Sequence, residues 1–130
     1  MVEPSPEHDR LAHEVVDAAF SVHSTLGPGL LESAYEQCMA YGFESRAIQF
    51  RRQVILPIVY RGYEIEAGYR MDMVVGGRII VEIKAVEKLL TIHEAQLDTY
   101  LKLSGFHLGL LINFNVPLIK YGIRRRIWSH

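Results

Sequence analysis

Only one cysteine, Cys38, occurs in the 130 residues. A lone thiol permits no internal disulfide and excludes a cysteine-ligated zinc or iron–sulfur site built within one chain. Cys38 is expected to pack as a small hydrophobe. Long apolar runs are missing as well. Although 49% of the residues are hydrophobic, they are spread along the chain, and nothing approaches the roughly 18 to 20 consecutive apolar residues that a membrane helix needs. An excess of charge is also absent: 14 Lys and Arg stand against 15 Asp and Glu, a net charge of −1 with neutral histidines. That balance does not advertise a nucleic-acid surface. The first residues, Met1-Val2-Glu3-Pro4-Ser5-Pro6-Glu7, have no cationic segment leading into an apolar one, so no secretory signal is read and a cytoplasmic location is inferred. Residues 1–7 are expected to form a flexible lead and residues 8–130 one domain. The chain has no repeats, no low-complexity tract, no glycine-rich phosphate loop, and no histidine pair with HExxH spacing.

What is present is a change of period. Leu11, Val15, Ala18, Ala19, Val22 and Leu26 recur at helical spacing, which predicts a helix over about 7–26, ended by Gly27-Pro28-Gly29. A second helix is predicted over about 30–44, with Leu31, Ala34, Tyr35, Cys38 and Tyr41 toward the core. Residues 50–60 and 63–69 are rich in β-branched and aromatic side chains and read as strands, with Arg61-Gly62 as a turn. Thr91 offers an N-cap for a third helix over about 92–104, with Gly105 past its end. Residues 107–113 read as a buried strand. The pattern does not fix a state for 118–128, beyond Pro117. Helices, a run of strands, a helix and another strand make an α/β sandwich with a mixed sheet.

The chemistry concentrates in Tyr69-Arg70-Met71-Asp72 and Glu82-Ile83-Lys84, two acids and a lysine separated by an apolar run that is broken only at Gly76-Gly77-Arg78. This is a strand–turn–strand pattern. Alternation puts Glu82 and Lys84 on one face and Val81 and Ile83 on the other. Whether Asp72 joins them depends on register. A two-residue turn at Gly76-Gly77 would pair Asp72 with Val81, whereas a three-residue turn with a glycine bulge pairs it with Glu82, and the second is expected. Directly paired residues have Cβ atoms roughly 4.5 to 5.5 Å apart, close enough for two carboxylates to share one hard cation. Acids on a strand face are often only a solvated surface. The flanking Met71, Met73, Val74, Val75, Ile79, Ile80, Val81 and Ile83 are apolar on both faces, however, and charges in so apolar a place are costly unless paired or metal-bound.

Other residues can be placed around this pair. Glu32 falls in the first turn of the second helix, where a carboxylate is favoured by the helix dipole alone; the alternative is a third acid at the metal. Tyr35 lies one turn on, on the same face. Gln96 and Tyr100 share a face of the third helix, and His93 at its start is read either as a phosphate contact or as a structural histidine. Arg46, Arg51, Arg52, Arg61, Arg70, Arg78 and Arg124-Arg125-Arg126 are either phosphate contacts or scattered surface charges.

Five blocks in order then carry a family resemblance over about 11–128. Gly29-Leu30-Leu31-Glu32-Ser33-Ala34-Tyr35 is similar to the motif that gives the GxxExxY proteins their name. Gly68-Tyr69-Arg70-Met71-Asp72, Val81-Glu82-Ile83-Lys84-Ala85-Val86-Glu87, His93-Glu94-Ala95-Gln96-Leu97 and Leu110-Leu111-Ile112-Asn113-Phe114 resemble its later blocks. That family resembles the PD-(D/E)XK nucleases, and Gln96-x-x-x-Tyr100 resembles the QxxxY element of their RecB-like branch. Met71, rather than proline, precedes Asp72. The resemblance implies a restriction-endonuclease-like sandwich with a mixed central sheet flanked by helices, and a nuclease acting on nucleic acid, with DNA the expected substrate. Asp72, Glu82, the Ile83 carbonyl and Glu32 would ligate Mg²⁺ or Mn²⁺, and Lys84 would act on the attacking water. Gln96, Tyr100, Tyr35, Arg70 and His93 would face the substrate. A chain of this size offers little substrate surface, which is compatible with a homodimer. The alternative is a non-catalytic module that binds nucleic acid or protein on the same fold.

Overall fold

The computed structural model describes residues 4–66 and 68–130. Helix α1 (Pro6–Leu26) starts where Ser5 accepts a hydrogen bond from the His8 N–H at 3.3 Å and proline occupies the first turn. Pro6 and Glu7, expected in the flexible lead, are therefore helical, and residues 1–3 lie outside the described residues. Helix α2 (Glu32–Ser45) follows the Gly27-Pro28-Gly29 break.

The expected strand over 50–60 is split. Strand β1 (Phe50–Ile55) ends before Pro57, which has no N–H to give to a ladder. The chain then forms a separate two-stranded hairpin from β2 (Ile58–Tyr60) and β3 (Tyr63–Ile65). Arg61 and Gly62 turn it with φ of 52° and 78°, the left-handed pair that matches the twist of a tight hairpin.

The main sheet consists of β1, β4 (Arg70–Val75), β5 (Ile79–Lys84), β6 (Leu108–Asn113) and β7 (Ile123–Ile127), in the order β1-β4-β5-β6-β7. Helix α3 (Thr91–Ser104) carries the chain from β5 to the parallel β6, and the other pairings are antiparallel. A crossover helix is what a parallel neighbour requires. Thr91 is the first residue of α3 and not its cap; Leu90 holds the cap position. The undecided segment 118–128 resolves into a 3-10 turn at Ile119–Gly122 and then β7.

Because β5 and β6 are central, they are apolar on both faces, and each face meets its own core. Val15, Ala19, Tyr35, Met39 and Phe43 of α1 and α2 pack on Met73, Val75, Val81, Ile83, Leu110 and Ile112. On the opposite face Leu97, Tyr100 and Leu101 of α3 pack on Met71, Val74, Ile80 and Leu111, with Leu56 beside them. The result is a helix–sheet–helix sandwich, and the expected α/β class with a mixed sheet holds.

Candidate active site

The β4–β5 hairpin closes over Gly76-Gly77-Arg78, since Val75 pairs with Ile79, Val74 with Ile80 and Met73 with Val81. Both glycines take left-handed φ, 59° and 63°, which a side chain would resist. The three-residue turn is the one expected from sequence, and continuing its register puts Asp72 opposite Glu82. The backbone ladder does not continue with it. Instead, the Asp72 N–H donates to Glu82 Oε2 at 2.7 Å, and the Ile83 N–H donates to Asp72 Oδ2 at 2.8 Å. Each carboxylate accepts the N–H that a strand carbonyl would otherwise take.

Glu82 is 4% exposed. Burial first, and the neighbouring Asp72 carboxylate second, push its pKa up to about 8, against the pull of the Asp72 N–H and Lys84. Asp72 is raised too, by burial before anything else; the Ile83 N–H and Lys84 oppose this, and Glu36 and Glu32 add to it. Two acids so placed hold on to a proton near neutral pH unless a cation replaces it. Lys84, half-buried and two residues beyond Glu82 on β5, is the cation whose field reaches both.

A cleft of about 350 Å³ opens onto Asp72 and Ile83 and is walled by Glu32, Ser33, Glu36 and Gln53. Glu36 and Gln53 were not foreseen. Glu36 sits one turn after Glu32 and is 6% exposed; it accepts from Arg52 Nε at 2.8 Å and from Gln53 Nε2 at 2.8 Å. The i, i+4 spacing from Glu32 was a signal that could have found it. Gln53 gave none. It lies across from Asp72, between the Arg52–Met73 and Val54–Met71 pairs, and its φ of 51° takes it out of the ladder. Backbone strain of this sort clusters at working sites.

Glu32 is exposed, and its Oε1 accepts from the Ala85 N–H at 3.3 Å, just past the end of β5. Among the described residues no three His, Cys, Asp or Glu side chains stand close enough to hold one ion. Glu32, expected as a third acid at the metal, is instead engaged with the backbone at Ala85. Tyr35, expected on the substrate side, is withdrawn from solvent. Its ring is fully buried and stacked on Phe114 at 4.4 Å, and its hydroxyl donates to the Gly27 carbonyl at 2.6 Å and accepts from the Leu30 N–H. It anchors the loop leading to Glu32. His93 Nδ1 accepts from the Leu90 N–H at 3.0 Å, a helix-start role.

Tyr100 comes to the acids from the α3 side. Burial, followed by the Glu82 and Asp72 charges, pushes its hydroxyl up to about 12, while a hydrogen bond from Gln96 opposes the shift. Arg70 is exposed on β4. The Arg124–Arg126 cluster is already occupied: Arg124 meets Glu94, Arg125 meets Asp9, and Arg126 meets Asp98 at 2.6 Å and Glu94. A reading of those three as phosphate contacts gives way to an ion-paired surface.

The remaining donors fit a hard divalent cation. Among the described residues no hydrogen bond engages Asp72 Oδ1 or Glu82 Oε1, so each acid has one oxygen left over. Mg²⁺ is commonly held by only one or two protein carboxylates, with water and phosphate oxygens completing its shell. No curated protein and no solved structure matches the chain. A family model described as the PD-(D/E)XK nuclease superfamily matches residues 9–126.

Proposed function

The chain belongs to the PD-(D/E)XK nuclease superfamily, and from that premise we propose that it is a metal-dependent nuclease hydrolysing phosphodiester bonds of nucleic acid, with DNA as its substrate. The observation that carries this reading is the crossed pair: Asp72 and Glu82 each hold the other strand's backbone with one oxygen and keep the second for a cation. Asp72 and Glu82 would hold Mg²⁺ or Mn²⁺, with the Ile83 carbonyl beside them and Glu32 acting through water. The bound ion would neutralise phosphate charge and make a coordinated water more acidic.

The protein's own groups do the rest. Lys84 holds the attacking water and donates to the charge that builds on the phosphate oxygens. Gln96 and Tyr100 keep Lys84 and the substrate backbone in line from the α3 side, and Arg70 meets a flanking phosphate. The five sequence blocks support a finer placement among the GxxExxY proteins and the RecB-like branch, and a cytoplasmic homodimer is part of the proposal.

One observation favours a second reading, a non-catalytic binding module on the same fold: among the described residues, no three acids or histidines are grouped so as to hold one ion. Labelled single-stranded, double-stranded and branched DNA and RNA, incubated with Mg²⁺, Mn²⁺ or EDTA, separate the two. Metal-dependent cleavage that disappears in Lys84→Ala and Glu82→Ala establishes the nuclease. Metal binding without cleavage on every substrate establishes the module. In Lys84→Ala the cation should still bind, and its loss there would contradict the role given to the lysine.

A further inference from the structure

The β2–β3 hairpin contributes to neither core of the sandwich. Its pairing sets Ile58 opposite Ile65, Val59 opposite Glu64 and Tyr60 opposite Tyr63. Alternate pairs point to opposite faces, so Ile58, Ile65, Tyr60 and Tyr63 share one face and Val59 and Glu64 the other. The tyrosines are 61% and 75% exposed and stand side by side on one face, so they form a patch rather than scattered single rings. Arg61 lies over the Tyr60 ring at 5.5 Å. Acid and base are therefore segregated: the aromatic face carries an arginine at its tip, and Glu64 is turned away from it.

The hairpin also has a definite place. It is inserted between β1 and β4, and its base stays tied to the sheet through the Leu56 N–H, which donates to the Tyr69 carbonyl at 2.9 Å, and through the Ile55–Arg70 pair. Asp72 is two residues farther along β4. Because β5 is antiparallel to β4, Glu82 and Lys84 lie at this same end of the sheet. Unlike Arg52 and Arg124–Arg126, neither Arg61 nor Arg70 has a carboxylate partner among the described residues.

We propose that this hairpin is a stacking platform for single-stranded nucleic acid, on which Tyr60 and Tyr63 take unpaired bases while Arg61 and Arg70 take phosphates and lead the strand to the acid pair. The inference rests on the nuclease reading and adds to it the strand state of the substrate. Base faces are stacked away in a duplex and free in a single strand, so flat exposed rings discriminate by strand state and tolerate any sequence. Arg61 and Arg70 make the contact salt-sensitive.

Binding is tested apart from cleavage, in EDTA, with fluorescent oligothymidine and a blunt duplex of equal length. Tyr60→Ala and Tyr63→Ala are each expected to weaken single-strand binding about tenfold, the usual scale for one stacked base, and to leave duplex binding unchanged. Tyr60→Phe and Tyr63→Phe should retain the affinity. Equal loss on both substrates, no loss on either, or a fall in solution mass from dimer to monomer in the alanine variants would overturn the platform; the last outcome would make the hairpin a contact between copies of the chain. Lys84→Ala, run in parallel, loses cleavage if the nuclease reading is right while still binding the single strand, so failure of one reading is distinguishable from failure of the other.

Discussion

At the scale of single residues, Glu82 gives the clearest expectation. Its folded pKa of about 8 stands above the ordinary carboxylate value of 4.5, so over that interval the folded state holds a proton that the unfolded chain releases. Stability without metal should therefore fall as pH rises from about 5 to about 8 and level off above. Thermal unfolding in EDTA across that range checks it. Glu82→Gln should flatten the slope, and an unchanged slope would mean that another group carries it. Tyr35→Phe should cost about 1–2 kcal/mol, the usual value of a buried hydroxyl and its partners, while the KM for substrate stays the same; a selective rise in KM would return Tyr35 to the substrate side. That Asp72 and Glu82 would meet across the hairpin was legible in the sequence, because charged groups set in an apolar hairpin are too costly to keep there without a partner. Glu36 left only its i, i+4 spacing from Glu32 as a trace, and Gln53 left none, because its place depends on a left-handed backbone that has no periodic signature.

At the scale of elements, the turn at Gly76-Gly77-Arg78 was readable from its two glycines and from the acids it brings opposite each other, since strands that are apolar on both faces leave the register to the turn. The last segment was not, since a 3-10 turn and a strand carrying Arg124-Arg125-Arg126 fit no single period. Its placement depends on contact. A Cβ at Gly122 would fall on the Asn113 carbonyl, so Gly122→Ala must move the turn or the end of β6, at a cost of about 1–3 kcal/mol. Urea unfolding measures it, and a neutral result would show that the turn yields freely. Arg126 joins β7 to α3 through Asp98 and Glu94. Arg126→Ala should lose about 1 kcal/mol or less, as partly exposed ion pairs do, with nucleic-acid affinity unchanged. A drop in affinity would reinstate the arginine cluster as a phosphate surface.

Across the whole molecule, the two cores share the same strands: Val81 and Ile83 look toward α1 and α2, while Ile80 looks toward α3. Neither layer can melt and leave the other its sheet. Fluorescence of Trp128, the one tryptophan, which packs on the α3 side, should follow the same denaturation curve as far-UV circular dichroism; two separated midpoints would show that the layers are independent. The sandwich itself could be inferred from the chain because helical and strand periods alternate in long blocks. The turn at Arg61-Gly62 was readable, but β2 could not be told from a continuation of β1, since Leu56-Pro57 interrupts the ladder without interrupting the apolar composition. The crossed acids also bear on descent. Asp72 and Glu82 stitch β4 to β5 and so have a use in folding as well as at the cleft, whereas Lys84 makes no ion pair among the described residues. On the proposed nuclease reading, a lineage that abandoned hydrolysis would be expected to keep both acids as a fossil seam and let the lysine drift, so position 84, rather than the more conspicuous carboxylates, would mark the lineages that still cut.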